Sequence, residues 1–310
     1  MLGSKRETAQ MRNLHKEITD RIVARLRNGV VPWRQPWSGK GFGVMPRNAC
    51  TGRAYSGANV ILLWSRAQES GFQAPLWLTF KQALELGGNV RKGEKGETVV
   101  YVSKVIRTDD ATGERRAIPF LKAYTVFNVA QCDNLPAKVT IGEAVKAANP
   151  NTRDELADAF MTATGADIRH GEASAYYRPA GDYVNLPAFE TFKSASLYYG
   201  VAFHELGHWT GAEKRLGRTF GKRFGDRSYA VEELVAELTS AFLCGEFGFD
   251  NDGVDADYIA TWIKLLEEHE KVIVAAAAAA SRAVEFMREA AIAAPVGEEL
   301  EELEPMLEAA

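Results

Sequence analysis

The sequence contains few cysteines and lacks any apolar run long enough to cross a membrane. Its three cysteines, Cys50, Cys132 and Cys244, are odd in number, widely spaced and outside any C-x-x-C pair. This excludes a disulfide framework and a thiolate zinc site, and it fits a reducing compartment. The longest apolar stretch, 272–280, is nine residues of mostly alanine, whereas a membrane-spanning helix needs about 20. The first residues carry charges without the apolar core of a signal peptide, so we expect a cytoplasmic protein.

The charge of the chain is divided between two parts of opposite sign. Residues 1–135 contain 21 Lys and Arg against 11 Asp and Glu, and residues 136–310 contain 16 against 30. The net charge of −4 therefore hides a part of +10 and a part of −14. We expect a polyanion-binding domain over 1–135, a domain with another role over 136–293, and an acidic, disordered tail over 294–310.

Hydrophobic periodicity and turn residues predict an α+β fold for both domains. In the first domain they predict helices over 14–27, 59–70 and 77–86, and strands over 98–106 and 119–129 joined by a hairpin turn at 109–113. The second domain is predicted to be mainly helical with a small sheet. Its predicted helices are 141–148, 153–164, 194–210, 228–247 and 255–293, and its predicted strands are 175–178 and 182–186.

The most specific motif in the sequence is His204-Glu205-Leu206-Gly207-His208. On a helix, positions i and i+4 lie on one face, so both imidazoles can bind one zinc ion while Glu205 reaches the bound water. A longer version of this motif has a third histidine ten residues after the first, but that position is Lys214, which excludes that class. The alternative interpretation is a pair of surface histidines on an ordinary helix.

A catalytic zinc ion needs a third protein ligand, and the remaining histidines do not supply one by pattern. These are His15, His170 and His269, none of which has a motif around it. Residues 232–237 supply carboxylates on the next predicted helix. Glu233 and Glu237 stand one turn apart, so one can bind the metal while the other accepts a hydrogen bond from a ligating histidine. Glu232 is a further alternative ligand. The alternative without a metal is that these glutamates form an ordinary solvated acidic face of the helix.

The arrangement resembles zinc peptidases in which a glutamate ligand follows HExxH on the next helix. This resemblance implies His204, His208 and Glu233 as ligands of one Zn²⁺, or of another divalent metal, with Glu237 as support. In the mechanism it implies, the metal polarises a water molecule and the scissile carbonyl, and Glu205 carries the proton from the water to the leaving amine.

The substrate of such a site is expected to be a peptide. An edge strand of the predicted hairpin over 175–186 would pair with the substrate backbone. Three residues, Tyr229, Tyr258 and His269, are alternatives for the group that stabilises the oxyanion, and the sequence does not rank them.

Longer segments in both halves resemble the ArdC-type antirestriction proteins of conjugative plasmids. Residues 203–211 and 229–237, preceded by 182–187, are similar to the C-terminal metallopeptidase domain of that family. The segments that resemble the N-terminal domain are 32–37, 48–52, 55–59, 77–80, 87–93 and 126–132. The resemblance spans about residues 10–270, and a related N-terminal domain occurs in plasmid primases. It implies single-stranded DNA binding and protection of incoming plasmid DNA from host restriction.

The composition of the first half independently favours single-stranded DNA. Its positive charge attracts phosphates, and aromatic side chains can stack on unpaired bases. The aromatic candidates are Trp33, Trp37, Tyr55, Trp77, Phe80 and Tyr101. Trp33 and Trp37 lie in a predicted Pro- and Gly-rich loop over 32–43, a position that favours exposure, whereas Trp77 lies in a predicted helix, a position that favours a core residue. The basic candidates are Arg34, Lys40, Arg47, Arg53, Arg91, Lys92, Lys95, Lys104 and Arg107.

Two other functions remain as alternatives. In one, the peptidase fold is a non-proteolytic scaffold of a DNA-binding antirestriction protein. In the other, the chain is a cytoplasmic metallopeptidase whose basic half binds a protein partner. The protein substrate is unidentified, and a component of the restriction system is one candidate.

Overall fold

The computed structural model describes residues 13–33, 45–108, 115–139, 152–219, 227–250 and 256–293. Its helices are α1 (Leu14–Arg27), α2 (Ala58–Ser70), α3 (Phe80–Glu85), α4 (Glu155–Ala163), α5 (Ala195–Thr210), α6 (Arg227–Phe247), α7 (Ala256–Glu268) and α8 (Val272–Ala293). Its strands are β1 (Arg47–Asn48), β2 (Leu76–Thr79), β3 (Asn89–Val90), β4 (Glu97–Thr108), β5 (Arg115–Asn128), β6 (Cys132–Asp133), β7 (Asp167–His170), β8 (Tyr176–Arg178) and β9 (Tyr183–Leu186). The α+β prediction is confirmed.

The N-terminal domain is a four-stranded sheet with helices packed around it. The strand order is β1-β2-β5-β4, and β3 and β6 form a separate two-stranded sheet. Strands β4 and β5 pair antiparallel from Glu97 opposite Val126 to Thr108 opposite Arg115, which makes one long hairpin. Helix α2 packs against β4. The helix predicted over 77–86 is partly wrong, because Trp77–Thr79 pairs with β5 as a strand.

The C-terminal domain places a three-stranded sheet beside its helices. The order is β7-β9-β8, with β9 in the middle and β8 at one edge. Strand β7 was not predicted, and it pairs parallel with β9. Helices α5 and α6 pack together, and α8 packs against α6.

The long helix predicted over 255–293 is wrong as a single element. The chain turns at 269–271, where the carbonyl of Glu270 accepts a 2.7 Å hydrogen bond from Thr19 Oγ1 of α1. The turn allows α7 to pack on α1 while α8 packs on α6. None of the described helices combines the length and the apolar character that crossing a bilayer requires.

The two domains share one hydrophobic core. One buried cluster contains residues of both. From the N-terminal domain it includes Ile22 of α1, Trp33 after α1 and Trp64 of α2, and from the C-terminal domain it includes Tyr198 of α5 and Trp262 of α7. Four predicted features lie outside the described residues: the Pro- and Gly-rich loop after Trp33, the hairpin turn at 109–113, the helix at 141–148 and the tail at 294–310.

Candidate metal centre and candidate nucleic-acid surface

Helix α5 carries the HExxH residues and lies unusually close to α6. Ser194 caps its N-terminus by accepting a hydrogen bond from the Leu197 amide. Gly207 stands where the helices meet, and a Cβ atom there would lie 3.1 Å from Ala236 Cα and 3.3 Å from Thr239 Cβ. The missing side chain of Gly207 therefore allows α6 to approach, and the approach brings its glutamates to the two histidines.

The three expected ligands, His204, His208 and Glu233, come together at this crossing. The Nε2 atoms of His204 and His208 lie 3.2 Å apart. Glu233 Oε2 lies 3.5 Å from His204 Nε2, and Glu233 Oε1 lies 3.6 Å from His208 Nε2. Tetrahedral coordination with bonds of about 2.1 Å separates ligand atoms by about 3.4 Å. The residues therefore fit a divalent metal ion of the kind that zinc peptidases hold.

The second nitrogen of each imidazole faces a supporting carboxylate. Glu237 Oε2 lies 3.8 Å from His204 Nδ1, and Glu232 Oε1 lies 3.3 Å from His208 Nδ1. Carboxylates in this position fix the tautomer and the ring orientation of ligating histidines. Glu237 has the position expected of a supporting residue, whereas Glu232 was considered only as an alternative ligand.

Arg218 holds Glu232 in place, a role that the sequence does not predict. Its guanidinium donates to both carboxylate oxygens of Glu232, at 2.8 and 3.0 Å, and to the Gly207 carbonyl at 2.6 Å. It also donates to Thr210 Oγ1 at 2.9 Å. The loop that contains Arg218 reads only as basic and Gly-rich, so no sequence signal separates this arginine from its neighbours.

Charges at the site are strongly coupled. Burial lowers the pKa of His204, but the carboxylates of Glu233 and Glu237, which accept hydrogen bonds from its ring, outweigh burial and raise this pKa to about 10. The pKa of His208 is also raised, because Glu232 and Glu233 outweigh its burial. Burial alone would raise the pKa of Glu233, but both histidines hold it well below its usual range. Without a metal the site therefore favours a protonated His204, whose extra proton a bound cation must displace.

A cavity of about 550 Å³ opens at the metal ligands. Glu205 lines it beside the ligands, and Tyr176 and Tyr177 of the edge strand β8 line another wall. Tyr229 and Tyr258 also line it, with their hydroxyl oxygens 3.1 Å apart. Burial, together with Tyr258 and Glu233, raises the pKa of Tyr229, so its hydroxyl stays protonated and can donate. The third alternative, His269, lies in the turn after α7 and is not among the lining residues.

The basic residues expected to bind DNA are in part described. Arg53, Arg91, Lys92 and Lys95 are exposed, and Arg47 is half-buried. Arg91 is already engaged by Glu94 at 2.8 Å and Asp133 at 3.5 Å. Arg34, Trp37 and Lys40 lie outside the described residues, as do the side chains of Lys104 and Arg107 on β4.

Burial contradicts the stacking role expected of Trp33 and agrees with the core position that the sequence favours for Trp77. Trp33 is 0% exposed and donates from its indole nitrogen to Glu237 Oε1 at 3.3 Å. Trp77 is 1% exposed and packs edge-on against Phe72. Neither ring presents a face to a base, because each fills the core. Tyr55 is half-buried, whereas Phe80 is 52% exposed.

A different aromatic surface, which we call the hairpin aromatic face, projects from β4 and β5. It consists of Tyr101, Phe120, Lys122 and Tyr124, all on one face of the hairpin. The rings of Tyr101 and Tyr124 stack at 5.0 Å, with their hydroxyls 2.9 Å apart. Lys122 Nζ lies 5.8 Å from the Tyr101 ring and 5.9 Å from the Phe120 ring. Only Tyr101 was predicted as a stacking residue, although 120, 122 and 124 alternate as one face of a strand.

Comparison with known proteins separates the chain into two recognised domains. Residues 12–127 match the N-terminal domain of the anti-restriction factor ArdC. Residues 155–279 match a zincin-like metallopeptidase domain. The metal-free crystal structure of the antirestriction ArdC protein from the R388 plasmid superposes with a TM-score of 0.79 at 42% identity, covering 92% of this chain and 100% of that one.

The chain belongs to the ArdC antirestriction protein family. The Mn(II)-bound structure of the R388 protein gives a TM-score of 0.76 at 41% identity over 91% of this chain and 99% of that one. The protein y4eC of Sinorhizobium fredii is 36% identical, with 89% of this chain and 91% of that protein covered. A DNA primase TraC of Escherichia coli is 38% identical over 88% of this chain, which spans only 27% of the primase.

Proposed function

We propose that this ArdC-family chain is an antirestriction protein that combines a zinc-dependent peptidase site with a surface for single-stranded DNA. Its place of action would be the cytoplasm, where incoming plasmid DNA meets restriction enzymes. The observation that carries the peptidase proposal is the set of three ligand atoms, within 4.8 Å of one another, at the floor of a cavity that also holds Glu205.

The residues that would hold the metal are His204, His208 and Glu233. Two imidazoles and one carboxylate are a usual donor set for catalytic zinc, and the Mn(II)-bound R388 protein makes another divalent metal the alternative. A bound ion would act as a Lewis acid toward water and the scissile carbonyl. Glu205 would accept a proton from the attacking water and deliver it to the leaving amine.

Two walls of the cavity would bind and polarise the substrate. Strand β8 lies at an edge of its sheet, where an extended peptide would pair with it as an added strand. Tyr229 and Tyr258 face the cavity from α6 and α7, and a phenol hydroxyl from this pair would donate to the developing oxyanion. A peptide segment of a restriction-system protein is the substrate we propose.

The peptidase is tested with Glu205→Gln, which removes the base but keeps the metal ligands. We expect metal-loaded wild type to cleave a peptide library, with products identified by mass spectrometry. The variant should lose about 10²- to 10⁴-fold in rate, which is the usual contribution of a general base. The control is metal content, which should be equal in both proteins. Stoichiometric metal with no cleavage by the wild type would instead favour the non-proteolytic scaffold.

Single-stranded DNA binding is supported by the hairpin aromatic face. Tyr124 is 51% exposed and Phe120 is 40% exposed, so both side chains are accessible to bases. Lys122 lies between them on β5 and can contact a phosphate. Stacked aromatics interleaved with a cation are the usual elements of sequence-tolerant single-strand recognition. The surrounding domain of +10 adds long-range attraction.

This surface is tested with Tyr124→Ala and a matched control on the opposite face of the hairpin. Val102 is 62% exposed, so Val102→Thr should leave DNA binding unchanged. A lost base stack is worth about 1–3 kcal/mol, so Tyr124→Ala should weaken binding of a labelled oligothymidine about tenfold or more. The affinity for the oligothymidine is measured by fluorescence anisotropy at about 50 mM salt, a concentration at which phosphate contacts are strong. Equal affinities of the two variants would remove this face from the DNA site, and no binding by wild type would favour a protein partner.

A further inference from the structure

A buried tryptophan of the N-terminal domain contacts two residues that line the cavity at the metal ligands, Glu237 and Trp262. Trp33 follows α1 in the N-terminal domain, yet it is fully buried in the shared core beside α6 and α7. Its indole ring packs edge-on against Trp262, with ring centroids 5.5 Å apart. Its ring nitrogen donates to Glu237 Oε1 at 3.3 Å.

Glu237 connects Trp33 to a metal ligand. Its other oxygen, Oε2, lies 3.8 Å from His204 Nδ1. The Glu237 side chain is only 11% exposed, so water has little access to the oxygen that does not face His204. The indole N–H of Trp33 supplies a donor to that oxygen and thereby selects one orientation of the Glu237 side chain.

Trp33 is also linked, through its packing on Trp262, to the two tyrosines that line the cavity. Trp262 stacks on Tyr258 at 5.6 Å, and the Tyr258 hydroxyl lies 3.1 Å from that of Tyr229. Trp262, Tyr258 and Tyr229 all line the cavity. A single buried indole thus touches both the support of a ligand and the support of the residues proposed to bind the oxyanion.

We propose that Trp33 is a positioning residue of the metal site, acting through Glu237 on His204, so that the N-terminal domain completes the site of the C-terminal domain. This inference rests on the proposed metal site. Outer partners of ligating histidines are worth about 10- to 100-fold in metal affinity. Trp33 is one hydrogen bond further from the metal than Glu237, so we expect its indole N–H to contribute about 3- to 10-fold to the metal affinity.

The test compares Trp33→Phe with Trp77→Phe in the full chain, using Zn²⁺ alone and a competing chelator to measure affinity. Both substitutions replace a buried tryptophan of the N-terminal domain with phenylalanine, but Trp77 belongs to a separate core cluster with Leu63 and Val99. Trp33→Phe should weaken Zn²⁺ binding about 3- to 10-fold, whereas Trp77→Phe should match wild type within about twofold. Equal affinities of the two variants would overturn the proposal.

A double-mutant cycle with Glu237→Met tests the route. That substitution removes both carboxylate oxygens and should weaken Zn²⁺ binding about 10- to 100-fold by itself. If Trp33 acts through Glu237, adding Trp33→Phe should cause no further loss. Full additivity of the two losses would contradict the route. If wild type itself binds no Zn²⁺, the proposed function fails, a result distinct from failure of this inference alone.

A second measurement needs no substitution at Trp33. The chain has six tryptophans, so the indole ¹⁵N–¹H signal of Trp33 can be assigned by replacing each of the other five in turn. Addition of Zn²⁺ should move the Trp33 signal and leave the Trp77 signal in place. A Trp33 signal that stays unchanged while the site fills would overturn the proposal even if Trp33→Phe fails to fold.

Discussion

Replacing Gly207 with alanine tests whether the close approach of α5 and α6 builds the metal centre. The new Cβ atom would lie 3.1 Å from Ala236 Cα, 3.3 Å from Thr239 Cβ and 3.4 Å from the Ala236 carbonyl oxygen. Carbon atoms in contact prefer about 3.5–4.0 Å, so the helices would have to separate by roughly half an ångström. Two of the three contacts are backbone atoms, which cannot move without moving α6 itself.

The expected energies follow from two opposing terms. Overpacking of this kind costs about 1–3 kcal/mol, whereas Gly to Ala inside a helix returns about 1 kcal/mol of helix propensity. Gly200 of the same helix is the matched control, because its added Cβ would lie 3.9 Å from Cys244 Sγ and 4.0 Å from Ser240 Oγ, in ordinary contact. Both variants gain the same helix propensity, so the free energy of unfolding of Gly207→Ala should be about 1–3 kcal/mol lower than that of Gly200→Ala.

Metal binding should separate the two variants more sharply than stability does. Metal–ligand distances tolerate only about 0.2 Å, and α6 carries Glu233 while α5 carries both histidines. We expect Gly207→Ala to weaken Zn²⁺ binding at least tenfold, or about 1.4 kcal/mol, while Gly200→Ala binds like wild type. Urea unfolding and a chelator competition measure the two quantities. Equal stability and equal affinity of the variants would refute the claim that Gly207 sets the distance between the ligands.

Three further predictions concern charges. The pKa of Asp182 is lowered mainly by hydrogen bonds that its carboxylate accepts from Arg215. The ionised carboxylate therefore stabilises the fold at pH values above its unfolded pKa of about 3.9, and this stabilisation is lost as the pH falls below that value. Asp182→Asn should therefore lower the free energy of unfolding by about 1–3 kcal/mol at pH 7, a difference from wild type that shrinks below about pH 4 in urea titrations. Arg218→Met leaves the buried carboxylate of Glu232 without its cationic partner and should lower the free energy of unfolding by about 3–5 kcal/mol. A decrease below about 0.5 kcal/mol would contradict the ion pair. Because the pKa of His204 is raised to about 10, Zn²⁺ binding at pH 7 should release at least about one proton, measurable by calorimetry in buffers of different ionisation enthalpy, and a pH-independent affinity would contradict it.

Short sequence patterns predicted most helices and strands, because helix caps and hydrophobic periodicity depend only on residues that are close in the sequence. Asn13 and Asn28 bound α1 as the periodicity indicates, and the pair Tyr101 and Lys122 lies on a hairpin whose two arms have strand composition. The start of α3 also had a local signal, since Thr79 and Gln82 form a capping box. Residues 77–79 were assigned to the helix because a strand that short has no periodicity of its own, and only pairing with β5 defines it.

The sequence predicted the cluster of candidate metal ligands for a related reason, but it did not predict which residues support them. HExxH fixes two ligands by helical spacing alone, and a glutamate-rich next helix limits the third to a few positions. Which glutamate faces which nitrogen depends on the crossing of α5 and α6, which Gly207 sets through contacts with Ala236 and Thr239. Arg218 reaches Glu232 from a loop, a contact that no periodic pattern encodes.

The division of charge identified two domains, but it says nothing about the contact between them. Charged residues lie at the surface, so counting them measures what each domain presents to a partner. The contact is formed by apolar and aromatic residues, among them Ile22, Trp33 and Trp262, which a charge count does not register. Trp33 looked like a surface residue because proline and glycine surround it in sequence, and such loops usually carry exposed aromatics. Its burial against Glu237 means that the basic domain contributes a hydrogen-bond donor to the interior of the candidate metal centre, whatever else that domain binds.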